Sequence, residues 1–251
     1  MTTADTTRLA VLIDSDNTTA SVTTELLDEI AKYGTPTIKR AYGDWTTQQL
    51  AGWKKELPRH AIQPIQQFAH TAGKNSTDSA LIIDAMDLLY AGNVEGFVIV
   101  SSDSDFTRLA TRLRESGMTV YGLGRRTTPA PFVAACDRFI YLDLLSREPA
   151  QQAAAEEETS KPPDLKRILS TAITSTSKDD GWSNLSEVGS YLSKSHAAFD
   201  ARDYGHAKLG ELVRAQSYVE AKDAPGATGQ NHLWVRLKPT ARKPARSRQA
   251  N

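Results

Sequence analysis

Short unbroken apolar runs alternate along this chain with stretches whose apolar residues recur every three or four positions. Leu9-Ala10-Val11-Leu12-Ile13 and Phe97-Val98-Ile99-Val100 are the clearest runs. Apolar runs of this length, with no polar alternation, predict strands buried on both faces, as in a parallel sheet. Thr37–Tyr42, Ala61–Phe68, Thr119–Leu123 and Phe139–Leu142 predict four more strands, the second of these interrupted by Pro64. Between the strands, Thr23–Tyr33, Thr46–Leu57, Asn75–Tyr90, Phe106–Glu115 and Pro131–Cys136 carry apolar residues at helical spacing. Gly34, Pro58, Gly92 and Gly117 punctuate the helix ends. Strands alternating with helices predict an α/β fold, a central parallel sheet covered on both faces. Sites in such folds lie beyond the carboxyl ends of the strands, near the point where strand order reverses.

The pattern changes after residue 146. Residues 147–163, REPAQQAAAEEETSKPP, hold few large apolar side chains and read as a linker. A second unit follows over 164–238. Leu165, Ile168 and Leu169 mark one helix, Leu185, Val188 and Leu192 a second, and Leu209, Leu212 and Val213 a third. Tyr218–Glu220 and Leu233–Leu237 read as strands joined by the Gly-rich APGATGQN. Three helices and a hairpin in so short a span predict a small winged helix-turn-helix domain. Residues 239–251 read as a basic disordered tail.

Charge sharpens this division. The formal net charge is zero, but residues 1–150 carry 18 acids against 15 bases and the remainder 12 against 15. No acid follows Asp223, whereas Arg236, Lys238, Arg242, Lys243, Arg246 and Arg248 do. A slightly acidic first part and a basic end suit a metal site beside a polyanion contact, although a solvated tail shows the same pattern. Cys136 is the only cysteine, which excludes intramolecular disulfides and thiolate metal clusters. No basic region precedes a long apolar segment, so no signal peptide is expected. No run is long enough for a membrane span, and the expectation is a soluble cytoplasmic protein.

The candidate chemistry sits where strands end. Asp14 closes the first strand, with Asp16 and Asn17 close behind. Asp103 and Asp105 follow the fourth strand within Ser101-Ser102-Asp103-Ser104-Asp105. Two such strand ends can lie side by side in a parallel sheet, and Asp78 opens a helix facing the same edge. Carboxylates held together raise one another's pKa unless a cation intervenes. Oxygen ligands select Mg²⁺ or Mn²⁺, ions that activate water and clamp a phosphate. The same residues also suit plain capping. Ser102-x-x-Asp105 has the form of a capping box, Asp78 lies three residues after Asn75, and Asp16-Asn17 fits an Asx-turn. On the residues alone both readings stand. Lys74, Arg125 and Arg126 lie on this rim, either to meet a phosphate or as ordinary solvated charge. Asp84 and Asp87 lie on other faces of the Asn75–Tyr90 helix, as solvated or buried structural acids. The five histidines are scattered and show no ligand spacing.

Several of these segments carry a resemblance. VLIDSDN (11–17), GKNSTDSALIIDAMDLLY (73–90) and FVIVSSDSDFTRLATRLRESGMTVYGLG (97–124) resemble an NYN domain. This is a branch of the PIN-like nucleases that includes the LabA-like bacterial proteins, and the likeness covers about residues 8–145. It implies a three-layer α/β domain over 1–146 and ribonuclease chemistry dependent on Mg²⁺ or Mn²⁺. Asp14 and Asn17 match the family's first motif, Asp78 its helix acid, and Asp103 and Asp105 the acids after the fourth strand. Lys74 and Asn75 match its GKN run. Leu165–Ala172, DGWSNLSEVGSYL (180–192), FDARDYGHAKLGELV (199–213) and HLWVRL (232–237) resemble an OST-HTH, or LOTUS, domain. That likeness implies RNA as a partner, and some such domains also engage proteins. Phe199, Arg202, Tyr204 and Gly205 match its pattern. Arg202, Lys208 and Arg214 suit phosphate contacts and Tyr204 suits base stacking. Phe199, Trp182, Trp45 and Trp53 are expected in cores.

The expectation is therefore a metal-dependent ribonuclease. Its catalytic set is Asp14, Asn17, Asp78, Asp103 and Asp105, and all but Asn17 are metal ligands. Its substrate contacts are Lys74, Asn75, Arg125, Arg126, Arg202, Tyr204 and Lys208. The alternative is an RNA-binding adaptor whose acids only cap helices. A third reading, a DNA-directed role, rests on the winged helix alone.

Overall fold

Six parallel strands build the sheet of the first of two compact units. They are β1 (Arg8–Asp14), β2 (Thr35–Gly43), β3 (Gln63–Gln66), β4 (Gly96–Val100), β5 (Thr119–Gly124) and β6 (Arg138–Tyr141). The computed structural model describes residues 7–68, 76–145, 164–178, 180–225 and 231–238. The strand order is β3-β2-β1-β4-β5-β6. Order reverses between β1 and β4, the two apolar runs that stood out in the sequence. Their register pairs Ile13 with Val100, so both strands end at one level. Pro64 falls on β3, an edge strand, where its missing N–H breaks no central ladder.

Helices α1 (Thr23–Ile30), α2 (Trp53–Arg59), α3 (Ser76–Ala91), α4 (Thr107–Glu115) and α5 (Ala130–Ala135) cover the sheet. Alternation along the strands sorts the two faces. Leu12, Tyr42, Phe97 and Ile99 pack with Leu81 and Ala85 of α3, Leu109 and Leu113 of α4, and Phe132 of α5. Leu9, Val11, Ile13, Val98 and Val100 pack with Leu26 and Ile30 of α1 and Trp53 and Leu57 of α2. Each fully buried Leu, Ile or Val side chain contributes roughly 1.5–3 kcal/mol by leaving water. The three-layer arrangement follows from these two apolar faces.

Two helices differ from their sequence expectation. The first ends at Ile30 rather than Tyr33, because Lys32 and Tyr33 N–H donate three residues back, to Glu29 and Ile30 carbonyls. The second begins at Trp53 rather than Thr46. Asp44 accepts from Thr46 N and Thr46 Oγ1 and holds that stretch in a turn. Pro58 lies inside the last turn instead of ending the helix, and His60 N still reaches Glu56 O.

A polar tie fixes α3 to the sheet. Tyr42, fully buried on β2, donates its hydroxyl to Asp84 Oδ2 at 2.6 Å. Arg40 Nη1 stands 2.7 Å from Asp84 Oδ1. Burial, then the Asp84 carboxylate, pushes the Tyr42 hydroxyl far up, so it stays protonated and donates. Asp84 is thus the structural acid of the two readings considered for it. Asp84→Ala strips partners from a buried hydroxyl and a half-buried guanidinium. The expected cost is about 2 kcal/mol, read as a lower midpoint in urea unfolding with an unchanged slope.

The second unit holds α6 (Leu165–Thr176), α7 (Leu185–Ser195) and α8 (Leu209–Arg214), with a 3-10 turn at Ala201–Tyr204. Asp164 caps α6 by accepting from Lys166 N and Arg167 N. Its sheet is antiparallel, in the order β7 (Ser183–Asn184), β9 (Asn231–Leu237), β8 (Val219–Pro225). The hairpin matches the expected wing. The two-residue β7 was not expected, being too short to show alternation. Among the described residues no helix is long and apolar enough to cross a membrane.

Candidate metal centre

The acids converge where strand order reverses. Asp14 is the last residue of β1, and its side chain falls on the α3 side of the sheet with Leu12. It is fully buried. Its Oδ2 accepts from Asn17 Nδ2 and from Ser101 Oγ, both at 2.7 Å. Its Oδ1 accepts from Asn17 N at 3.4 Å. Burial raises the Asp14 pKa despite these hydrogen bonds, and the Asp16 charge adds to the rise.

Asp78 lies in the first turn of α3, where the helix dipole favours a carboxylate. One oxygen each from Asp78, Asp103 and Asp105 lies within 4.8 Å of the others. Burial first, then the charges of Asp14, Asp103, Asp105 and Asp16, push Asp78 up to about 6. Carboxylates gathered this closely repel, and the donor set is all oxygen, which fits a hard divalent cation. The folded state holds the Asp78 proton up to about pH 6, whereas an unfolded chain releases it near 3.8. Stability of the metal-free chain therefore falls as pH rises through that window. A thermal-melt series is expected to show this fall, and saturating Mn²⁺ to remove it.

The loop after β4 uses its hydroxyls differently from the capping box that Ser102-x-x-Asp105 suggests. Asp103 caps the 3-10 turn Ser104–Phe106, its Oδ1 accepting from Asp105 N at 2.9 Å. Ser101 Oγ accepts from Asp103 N at 3.1 Å while donating to Asp14. Ser102 Oγ accepts from Arg125 N at 2.8 Å, joining this loop to the end of β5. Capping and clustering thus coexist in Asp103. Ser101 links the two acidic strand ends, and sequence reasoning missed that role. Asp16 is a second omission. It is exposed, its Oδ2 accepts from Thr77 Oγ1 at 2.9 Å, and its charge bears on both Asp14 and Asp78.

The remaining expected site residues scatter. Arg125 is exposed just beyond β5. Arg126 donates its N–H to Asp143 Oδ2, and its guanidinium lies over the Tyr141 ring. Lys74 and Asn75 lie outside the described residues, as do the 147–163 linker and the 239–251 tail. Arg202, Tyr204 and Lys208 belong to the second unit. Lys208 is exposed at the start of α8. Tyr204 is half-buried, and its pKa is raised by burial and then by Asp203 and Asp164. Arg214, expected as a phosphate contact, is instead paired with Asp223, at 2.7 Å. Trp53 is a core residue, and Trp45 donates its ring N–H to Ile65 O, as expected of packing residues.

Comparison with known proteins places these elements. Residues 8–143 match the NYN domain family. Residues 160–229 match the OST-HTH/LOTUS domain. No curated protein matches the chain. A Vibrio parahaemolyticus protein of unknown function is similar at 17% identity over 56% of this chain and 96% of that one, with a TM-score of 0.46. An uncharacterized protein of Nitrosomonas europaea is 33% identical over 38% of this chain and 92% of that one, with a TM-score of 0.29. A Chromobacterium violaceum protein fragment, 175–257, is 27% identical over 36% of this chain and 97% of that one, with a TM-score of 0.28. Structural likenesses this partial carry no argument about function. The two domain matches do, and the chain belongs to the NYN domain family, with an OST-HTH/LOTUS domain following.

Proposed function

We propose that this chain is a ribonuclease that hydrolyses RNA phosphodiesters with Mg²⁺ or Mn²⁺. The gathering of Asp78, Asp103 and Asp105 oxygens within 4.8 Å carries the reading. The nuclease-like fold of the NYN family supports it. Asp14, Asp78, Asp103 and Asp105 are the proposed ligands of one or two ions. A divalent ion there supplies an activated water and neutralises charge on the phosphate. The chain's own residues prepare that site. Asn17 and Ser101 hold the Asp14 carboxylate by hydrogen bonds to its Oδ2. Asp78, with a pKa of about 6, is ionised at neutral pH and ready to bind a cation. Binding relieves repulsion that the folded state otherwise holds.

On this proposal residues 1–146 form the nuclease domain, 147–163 a linker, 164–238 the RNA-binding domain and 239–251 a basic tail. Lys74, Asn75, Arg125 and Arg126 are the proposed phosphate contacts of this domain. Arg202, Tyr204 and Lys208 are proposed RNA contacts of the second domain, which brings substrate to the first. A panel of labelled RNAs, incubated with Mg²⁺, Mn²⁺ or EDTA, tests the function. Cleavage with either metal and none in EDTA is expected. Intact RNA under every condition, with binding retained, favours the adaptor reading, for which Asp103 acting as a cap is the supporting observation.

A further inference from the structure

The small sheet of the second unit has one face closed and one face open. Val219 and Val235 are buried on the inner face, where α6 contacts β9 and α8 contacts β8. Ser183 points the same way, its Oγ donating to Ile173 O. Alternation then turns the neighbours outward. Lys222 pairs across the ladder with Trp234, and Glu220 with Arg236. Trp182, just before β7, joins this outer row. Lys222 Nζ lies 3.9 Å from the Trp182 ring centroid, and Arg236 Cζ 4.6 Å from it. Lys178 Nζ lies 5.0 Å from the centre of the Trp234 ring. Lys178 and Lys222 are exposed and Trp234 is half-exposed.

Two tryptophans and three cations thus share one open face. Ring contacts hold the cations in place while their N–H groups stay in water. A held cation loses less freedom when it meets a phosphate. Among the described residues the acids of this face are engaged. Glu220 is paired with Arg236, and Asp180 accepts from Trp182 N. The α8 side offers less to a polyanion. Arg214 is bound to Asp223, and Asp203 and Asp164 bear on Tyr204.

We propose that this outer sheet face binds an unpaired nucleic-acid strand. Lys178 and Lys222 meet its phosphates, and Trp234 stacks on a base. Trp182 is 7% exposed and serves as the anchor for the cations rather than as a stacking platform. An open, flat face with one available ring suits splayed bases and does not enter a groove of a duplex. The inference rests on the RNA-binding reading of the second domain and names the surface that performs it.

Fluorescence anisotropy of the full chain in EDTA tests the proposal. The probes are a labelled single-stranded A/U RNA of about 12 nucleotides, its DNA counterpart and the RNA duplex. Wild type is expected to prefer both single strands to the duplex, and a tighter RNA than DNA complex assigns the ribose hydroxyl a part. The Lys178→Glu/Lys222→Glu double variant is expected to weaken single-strand binding at least about tenfold and to lower the salt slope by roughly one unit. Trp234→Leu is expected to lose about tenfold, with Trp234→Phe largely retaining binding. Far-UV circular dichroism and melting temperature check that each variant folds. Wild-type affinity in every folded sheet-face variant overturns the proposal. If Arg202→Ala/Lys208→Ala alone then abolishes binding, the RNA-binding reading survives. Equal or tighter duplex binding by wild type also overturns the proposal, and no binding to any probe defeats both.

Discussion

Asp78→Asn is expected to lower RNA cleavage roughly a thousandfold while raising the melting temperature of the metal-free chain. The two effects have one cause. Asp78 is pushed up to about 6 by burial and by the charges of Asp14, Asp103, Asp105 and Asp16. The asparagine keeps the shape and removes the charge. Repulsion among the remaining acids falls, and a melting gain of a few degrees follows for each ~1 kcal/mol recovered. On the proposed function a divalent ion would lose a charged ligand at the same time. Several kcal/mol of transition-state stabilisation at about 1.4 kcal/mol per decade gives the expected rate loss. Steady-state cleavage in Mn²⁺ and a thermal melt in EDTA read the two signs independently. An acid that serves only the dipole of α3 gives the opposite melt, because removing a negative charge from the first turn destabilises the helix.

Ser101→Ala should weaken Mn²⁺ binding by about 10–100-fold although Ser101 is not a proposed ligand. Ser101 is a positioning residue. Its hydroxyl donates to Asp14 Oδ2 and accepts from Asp103 N, so one oxygen sets both acidic strand ends. The surroundings are tight. A Cβ on Gly124 would stand 2.6 Å from Ser101 O, which shows how closely β5 presses on this loop. Without the hydroxyl, Asp14 retains Asn17 as its side-chain partner and Asp103 N loses its acceptor. Cleavage followed against Mn²⁺ concentration separates this role from a structural one. A positioning loss raises the Mn²⁺ requirement, and excess metal recovers much of the rate. A wild-type melting temperature in EDTA excludes a folding defect as the cause of that rise.

How far the sequence discloses this site depends on the range of each interaction. Leu9–Ile13 and Phe97–Val100 declare buried strands by their unbroken apolar character, and acids at their ends declare a polar edge. Asp78 is legible because Leu81, Ile82, Ala85, Met86 and Leu89 recur at helical spacing and the acid sits in the first turn of that helix. Ser101 is not legible in the same way. Its partner lies 87 residues away, and only the β1–β4 register brings the two together. Asp44 illustrates a local failure. Nothing in Thr46–Leu57 lacks helical spacing, yet the Asp44 carboxylate holds Thr46 in a turn and delays the helix. Tyr42 and Asp84 lie on β2 and α3, so their tie is visible only when the helix is packed on the sheet. Trp182 of the second unit reads as a core residue. Trp182 is indeed buried, but beneath Lys222 and Arg236 on the outer face of the sheet, which composition alone does not reveal.

Calorimetric titration of Mn²⁺ into the metal-free chain at neutral pH, with Asp103→Asn titrated alongside, asks whether the acids of β1, α3 and the loop after β4 hold a divalent cation. Saturable binding by the wild type and its near-complete loss in the folded variant are expected. Identical heats from both proteins, or none from the wild type, would sink the assignment.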